Sequence, residues 1–273
     1  MKIWKAVVLG ILQGLTEFLP VSSSGHLVLM QHFLGLEEPQ VFFDVMLHLG
    51  TLGAVVIVYR HPIWLLLRES GTALVNPDFY HHPIRTVEGS RHLKLLWFLL
   101  LGSVPTGIIA VLFKDQLESI FAKPMVVGSM LIVTGLILQL PRLRRKADNA
   151  ELPLKAWHTP LIGIAQGLAI TPGISRSGST ISLPLLFGVS PQTAAEYAFL
   201  LSIPAILGAV ALKLKDIAEI TVLPVMVGTL ASFIVGYIAL RILLVTLNRG
   251  KFSIFSYYCF ALGGAVILLL ALQ

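Results

Sequence analysis

Of 273 residues, 56% are hydrophobic and only 12% charged, where a soluble domain carries about 25% charged residues. That balance, with a mean hydropathy of +0.85, excludes a soluble enzyme and predicts an integral membrane protein, a single helical domain spanning 1–273. The net charge of +6 reads through membrane topology and not as a nucleic-acid signature, because the basic residues cluster in loops.

Lys2 and Lys5 precede a short apolar stretch, Ala6–Leu15, which could pass for a signal peptide. Glu17 and Pro20 stand where small cleavage-site residues belong, so the segment reads as part of the mature fold. The stretch runs into QGLTEFLPVSSSG, Gln13–Gly25, and a return segment, His26–Leu34. Three longer apolar runs follow, roughly Val41–Tyr59, Leu93–Phe113 and Met125–Leu140. After a basic connection comes QGLAITPGISRSG, Gln166–Gly178, then runs at Thr193–Leu212, Val222–Leu244 and Ile254–Leu272. Each long run approaches the ~20 residues that span a bilayer. The motif segments fall short of that, and two short helices meeting at a Pro/Ser/Gly turn predict a re-entrant hairpin. The sole cysteine, Cys259, lies in the last run; an intrachain disulfide is excluded.

The order repeats because the sequence does. At an offset of 153, residues 4–35 match 157–188 without gaps, with ten identities in 32 positions. The identities include Gly10/Gly163, Gln13/Gln166, Gly14/Gly167, Ser22/Ser175, Ser24/Ser177 and Gly25/Gly178. A hairpin and three spans per repeat give an odd number of crossings, so the second repeat is inverted and the hairpin tips meet inside the membrane. The expected fold is therefore all-α, with six transmembrane helices and two re-entrant hairpins in an inverted repeat (about 1–140 and 154–273). Thirteen Lys and Arg lie on the face of loops 60–92, 141–155 and 245–253, against six on the other. The positive-inside rule puts the first face in the cytoplasm and both termini outside.

Glu17 and Arg176 are then ionisable groups at membrane depth, which predicts a pocket and a partner for each. A structural salt bridge between the hairpins is the plain expectation, yet it leaves the serines unexplained. The repeat sets Ser23 opposite Arg176, flanked by Ser22, Ser24 and Gly25 on one tip and by Ser175, Ser177 and Gly178 on the other. Serine, glycine and arginine at a helix start make an anion site, through free backbone N–H groups, hydroxyl donors and a guanidinium fork. Ser23 is a candidate nucleophile, and Glu17 or His26 a candidate base or acid beside it. Gln13 shares a helical face with Glu17. Asp44 and His48 share a face of the first long run, where hydrogen bonding to the hairpin is the expected role. His81, His82 and His92 lack zinc-like spacing and read as loop residues. Trp64 with Leu65–Leu67 reads as an interfacial segment. No Walker, Rossmann or metalloprotease motif is present.

At these two motifs the chain strongly resembles the undecaprenyl-diphosphate phosphatase family associated with bacitracin resistance. The resemblance rests on Gln13-Gly14-Leu15-Thr16-Glu17 running into Pro20-Val21-Ser22-Ser23-Ser24-Gly25-His26, and on Pro172-Gly173-Ile174-Ser175-Arg176-Ser177-Gly178-Ser179-Thr180. It implies a bacterial plasma-membrane enzyme that hydrolyses a C55 isoprenyl diphosphate to its monophosphate, recycling a carrier for cell-wall synthesis at a site open to the outer face. It also implies Glu17, Ser23, His26 and Arg176 as active-site residues, with Thr180 in the second motif. A divalent cation, Mg²⁺ or Ca²⁺, is implied too, with Glu17 as its protein ligand. Gln13 takes the place of a second carboxylate found in some members, which removes one anionic ligand. The competing expectation is a transporter or flippase of an isoprenyl phosphate lipid, since inverted repeats with midplane hairpins are also transporter architecture. A nucleophile beside a base favours the enzyme.

Overall fold

The computed structural model describes residues 1–36, 41–113, 116, 123–144, 152–213 and 222–272. Of the basic residues used to orient the chain, Lys114, Arg145, Lys146 and Lys215 lie outside the described residues. The described elements are helical. They are α1 (Ile3–Phe18), α2 (Ser23–Phe33), α3 (Val41–Val58), α4 (Arg60–Val75), α5 (Pro77–His81), α6 (Pro83–Gly89) and α7 (Arg91–Leu112). Next is α8 (Pro124–Ile137), and in the second half come α9 (His158–Leu168), α10 (Arg176–Leu186), α11 (Pro191–Lys213), α12 (Val222–Asn248) and α13 (Phe255–Ala271).

Among the described residues, five helical segments are long and apolar enough to cross a membrane: Arg91–Leu112, Pro124–Leu143, Pro191–Ala211, Val222–Asn248 and Phe252–Ala271. A sixth is counted if α3 and α4, bent by 79° where they join, form one broken span. The chain is thus an all-α protein built for a membrane. Burial says the same from the inside out. On α1, Gln13, Thr16 and Glu17 are buried while Trp4, Ile11 and Leu15 are exposed. On α9, His158, Thr159 and Gln166 are buried while Leu161, Ile164 and Leu168 are exposed. Apolar groups outside and polar groups inside are what a hydrocarbon solvent selects.

This inversion also corrects one boundary. The apolar run Ala6–Leu15 lengthens to sixteen residues, Ile3–Phe18, about 24 Å of helix. Hydropathy stops at Thr16 and Glu17, but those side chains lie on the interior face of a helix that continues. The return helix begins at Ser23, three residues ahead of His26, because Ser22 caps it.

The helices pack by close backbone approach. Helix α1 lies on α12 and α9 on α7, so the first helix of each hairpin rests on a long helix of the other half. A Cβ on Gly10 would stand 2.3 Å from the Gly228 carbonyl oxygen, and one on Gly163 only 2.0 Å from that of Gly102. Small residues are the usual means of such contact where no hydrophobic effect drives helices together. Thr106 adds a hydroxyl bond across the second pair, donating to the Gly163 carbonyl at 2.8 Å. Helix α11 runs through the middle. Its Tyr197, Phe199, Leu200 and Leu201 are buried, and Phe199 meets Phe18 of the first hairpin edge-to-face with centroids 5.6 Å apart.

Helix α4 leaves α3 at its sharp bend with Trp64 and Leu67 exposed, as an interfacial segment would be. Glu69 accepts hydrogen bonds from Ser90 and from His92 Nδ1, tying this segment to the start of α7. His92 therefore has a structural partner, while His81 and His82 line a concavity of about 660 Å³ made only of residues of that loop.

Candidate active site

Both hairpin tips use one local design. Ser22 caps α2 by accepting from the Gly25 N–H at 3.3 Å; Ser175 caps α10 by accepting from Gly178 at 3.0 Å. The neighbouring hydroxyls pair in the same way, Ser22 with Ser24 at 3.4 Å and Ser175 with Ser177 at 3.3 Å. In each helix the two N–H groups before the capped one, on Ser23 and Ser24 and on Arg176 and Ser177, precede the first helical acceptor and are free to face an anion.

The tips are joined to each other and to their surroundings. The Gly173 N–H donates to Ser22 Oγ at 3.1 Å, so one hydroxyl caps its own helix and holds the opposite hairpin. Thr134 of α8 fixes the second tip from behind, donating to the Gly173 carbonyl at 2.7 Å and accepting from the Ser175 N–H at 2.9 Å. Among the described residues, Ser22 is the one non-glycine with positive φ, at 69°. Such a conformation costs about 1–3 kcal/mol and persists where the surroundings dictate it. Here the three bonds of its hydroxyl do so.

Gly173 has φ +97°, and a Cβ there would lie 2.6 Å from both the Val127 carbonyl oxygen and Met130 Cβ. Gly173→Ala is accordingly expected to destabilise the protein by about 2 kcal/mol or more, from backbone strain and overpacking together. A lowered thermal unfolding midpoint in detergent checks this; an unchanged midpoint would mean that the turn can be rebuilt at no cost.

Glu17 is the hub. Its Oε1 accepts from Arg176 Nη2 in a close ion pair that crosses from one hairpin to the other. Its Oε2 accepts from Ser23 Oγ at 2.5 Å and from Gln13 Nε2 at 2.8 Å. His48 Nε2 stands 3.5 Å from the same oxygen. Glu17 and Ser23 are buried and Arg176 is partly exposed, so a ligand would meet the guanidinium first. Nη2 is engaged by Glu17, and no described residue partners Nη1 or Nε, which leaves donors for an incoming anion.

His26 points elsewhere. Its Nδ1 donates to the Ser22 carbonyl at 2.8 Å, and Nε2 is hydrogen-bonded to the Tyr258 hydroxyl of α13 at 2.7 Å. Of the two candidate bases, Glu17 alone is bonded to the Ser23 hydroxyl. Asp44 takes the role expected for it, accepting from Gln31 Nε2 of the first hairpin at 2.7 Å. His48, for which the same was expected, also faces the first hairpin, at Glu17. Thr180 donates to the Arg176 carbonyl one turn back at 2.8 Å, a bond inside α10 and not across the tips. Tyr258 was invisible in the sequence: it sits in an apolar run 232 residues from His26 and matches no motif.

A metal held by side chains does not fit this donor set. Both Glu17 oxygens are committed to hydrogen bonds, and Gln13 offers only an amide oxygen, Oε1, which lacks a protein partner. Among the described residues no three His, Cys, Asp or Glu side chains gather at one point. As a metal ligand, Glu17 would have to share oxygens that already accept from Arg176, Ser23 and Gln13.

Comparison with known proteins bears on the same residues. The family model described as the bacitracin resistance protein BacA matches residues 6–265, a span that contains both hairpins. The undecaprenyl-diphosphatase of Desulfosudis oleivorans is 45% identical over 267 residues, covering 96% of this chain and 97% of the relative. That of Halothermothrix orenii is 43% identical over 98% of both chains, and that of Desulforapulum autotrophicum 42% over 96% of both. With the match running through every helix that builds the site, the chain belongs to the bacitracin resistance protein BacA family.

Proposed function

We infer that the chain is a membrane-embedded undecaprenyl-diphosphatase, which hydrolyses undecaprenyl diphosphate to undecaprenyl phosphate and inorganic phosphate, recycles the lipid carrier for cell-wall synthesis and thereby confers bacitracin resistance. The single observation that carries the chemistry is Glu17 bonded at once to a serine hydroxyl and to an arginine from the facing hairpin. That is a nucleophile, its base and a phosphate-binding cation in one cluster.

The reaction follows from that cluster. The two helix starts and the Arg176 fork hold the diphosphate, with Ser22, Ser24, Gly25, Ser175, Ser177 and Gly178 shaping the cradle. Thr180 supports it indirectly, by holding the carbonyl behind Arg176. Ser23 Oγ attacks the terminal phosphorus as its proton passes to Glu17 Oε2. The bridging P–O bond breaks and the isoprenyl monophosphate leaves. Water then attacks the phosphoserine and the Oγ–P bond breaks; Glu17 returns its proton to Ser23 Oγ, one water proton stays on the inorganic phosphate and the other is released to solvent. Arg176 stabilises charge on the transferred phosphoryl oxygens throughout. The isoprenyl tail of the substrate needs no polar pocket, because the neighbouring helix faces are already lipid-compatible.

The topology that suits this reaction is six spans, with α3 as the first and α4 lying along the interface, and two re-entrant hairpins, α1–α2 and α9–α10, in inverted repeats of one domain. Support comes from their lengths: 16, 11, 11 and 11 residues, all too short for ~30 Å of hydrocarbon. The reciprocal packing of α1 on α12 and α9 on α7 supports the repeat. The loop charges favour both termini and the site on the outer face.

The test is phosphate release from a long-chain isoprenyl diphosphate by the purified protein in detergent. One phosphate per diphosphate, with the monophosphate lipid as co-product, is the expected result. A well-folded protein that releases none, yet moves an isoprenyl phosphate across proteoliposomes, would establish the flippase instead.

A further inference from the structure

Nothing in the phosphatase chemistry above uses Tyr258, yet it is the side chain that meets the basic nitrogen of His26. It comes from α13, the last helix, while His26 sits one turn into α2, three residues after Ser23. The hydroxyl lies 2.7 Å from Nε2, and the two rings are nearly parallel, at 8°. A carbonyl can only accept, so the Ser22 carbonyl at 2.8 Å requires the proton to sit on Nδ1. Nε2 of the neutral ring then carries the lone pair, and the phenol donates to it. If Nε2 takes up a proton, the same phenol oxygen turns acceptor without moving. The tyrosine is half exposed and the histidine buried.

We propose that Tyr258 is a positioning residue for the phosphatase reaction, acting through His26: its hydroxyl and the Ser22 carbonyl together lock the imidazole in the Nδ1–H tautomer and fix its orientation beside the first hairpin tip. The proposal rests on the phosphatase reading, with His26 among its active-site residues as the family resemblance implies. It makes His26 a group oriented by both ends of the chain. Tyr258 touches none of the groups that grip the diphosphate, so its loss alters turnover and not substrate capture.

The experiment compares full-length wild type, Tyr258→Phe and Tyr258→Leu in detergent, by phosphate release and by ¹⁵N NMR of histidine-labelled protein. The His26 signals are identified by their absence in His26→Gln. Tyr258→Phe keeps the ring and removes the hydroxyl alone. It is expected to lower kcat about tenfold with KM unchanged, and to move the His26 Nε2 resonance to that of an unbonded nitrogen while Nδ1 stays protonated. Wild-type kcat in Tyr258→Phe, with Tyr258→Leu impaired, would leave only a packing role and overturn the proposal; an unmoved Nε2 resonance would overturn it as well. The wild-type spectrum is a test even if neither variant folds, since a ring protonated on Nε2 alone contradicts the assignment. Absence of phosphate release by wild type would instead count against the phosphatase reading.

Discussion

Ser23→Ala is expected to lower kcat for phosphate release by about 10³-fold or more, with KM changed only slightly. The reason is specific to the contacts of this hydroxyl. Its 2.5 Å bond to Glu17 Oε2 puts the acceptor of its proton in place before substrate arrives. Alanine removes the nucleophile while the Arg176 fork and both helix starts survive to bind the diphosphate. Glu17→Gln should cost a similar factor, since an amide cannot take the proton. Because the two residues act as one unit, the double variant should be little worse than either single one. Glu17→Gln has a second consequence that Ser23→Ala lacks. It strands Arg176 against a neutral partner in a mostly buried place, at a cost of about 3–5 kcal/mol, so thermal unfolding should fall for Glu17→Gln and hold for Ser23→Ala. A Ser23→Ala enzyme with a tenth of normal turnover would assign the attack to water.

Arg176→Lys is expected to lose about 10²-fold in kcat/KM although the charge is kept. The guanidinium is asked to do two things at once: donate from Nη2 to Glu17 Oε1, and offer Nη1 and Nε to phosphate. A lysine ammonium is a point charge on a flexible stem. It can satisfy the carboxylate or the phosphate, and paired with Glu17 it brings no planar fork to the transferred phosphoryl group. Measured side by side, Arg176→Lys should fold nearly as well as wild type, because Glu17 keeps a cation beside it, whereas Arg176→Ala should lose both activity and stability. Near-normal turnover in Arg176→Lys would reduce the arginine to an ion-pair partner and remove it from the phosphate.

The two substitutions separate what the facing tips contribute. In the proposed reaction, the first hairpin supplies the nucleophile and its base. The second supplies the binding charge, since the repeat places Ile170 where the first has Glu17 and Arg176 where the first has Ser23. The shared caps and serine pairs show how one backbone design carries two different side-chain sets.

Much of this was determined by the sequence alone. Composition fixes the membrane class, because a 12% charged chain cannot face water. The repeat marks both helix starts, because the cap residues Ser22 and Ser175 and the capped glycines recur at one offset. Motif spacing picks out Glu17, Ser23 and Arg176 because each is a polar group that lipid would otherwise exclude. Tertiary structure decided the rest, and the reason is distance along the chain. Which of Glu17 and His26 reaches the Ser23 hydroxyl turns on which way the two side chains point: Glu17 bonds it, while His26 is bonded to Tyr258, far away on α13. His48 meets Glu17 only because α3 folds back along α1. The length of α1 was hidden for a related reason: hydropathy counts residues in order, whereas a helix buries its polar face and shows lipid the other.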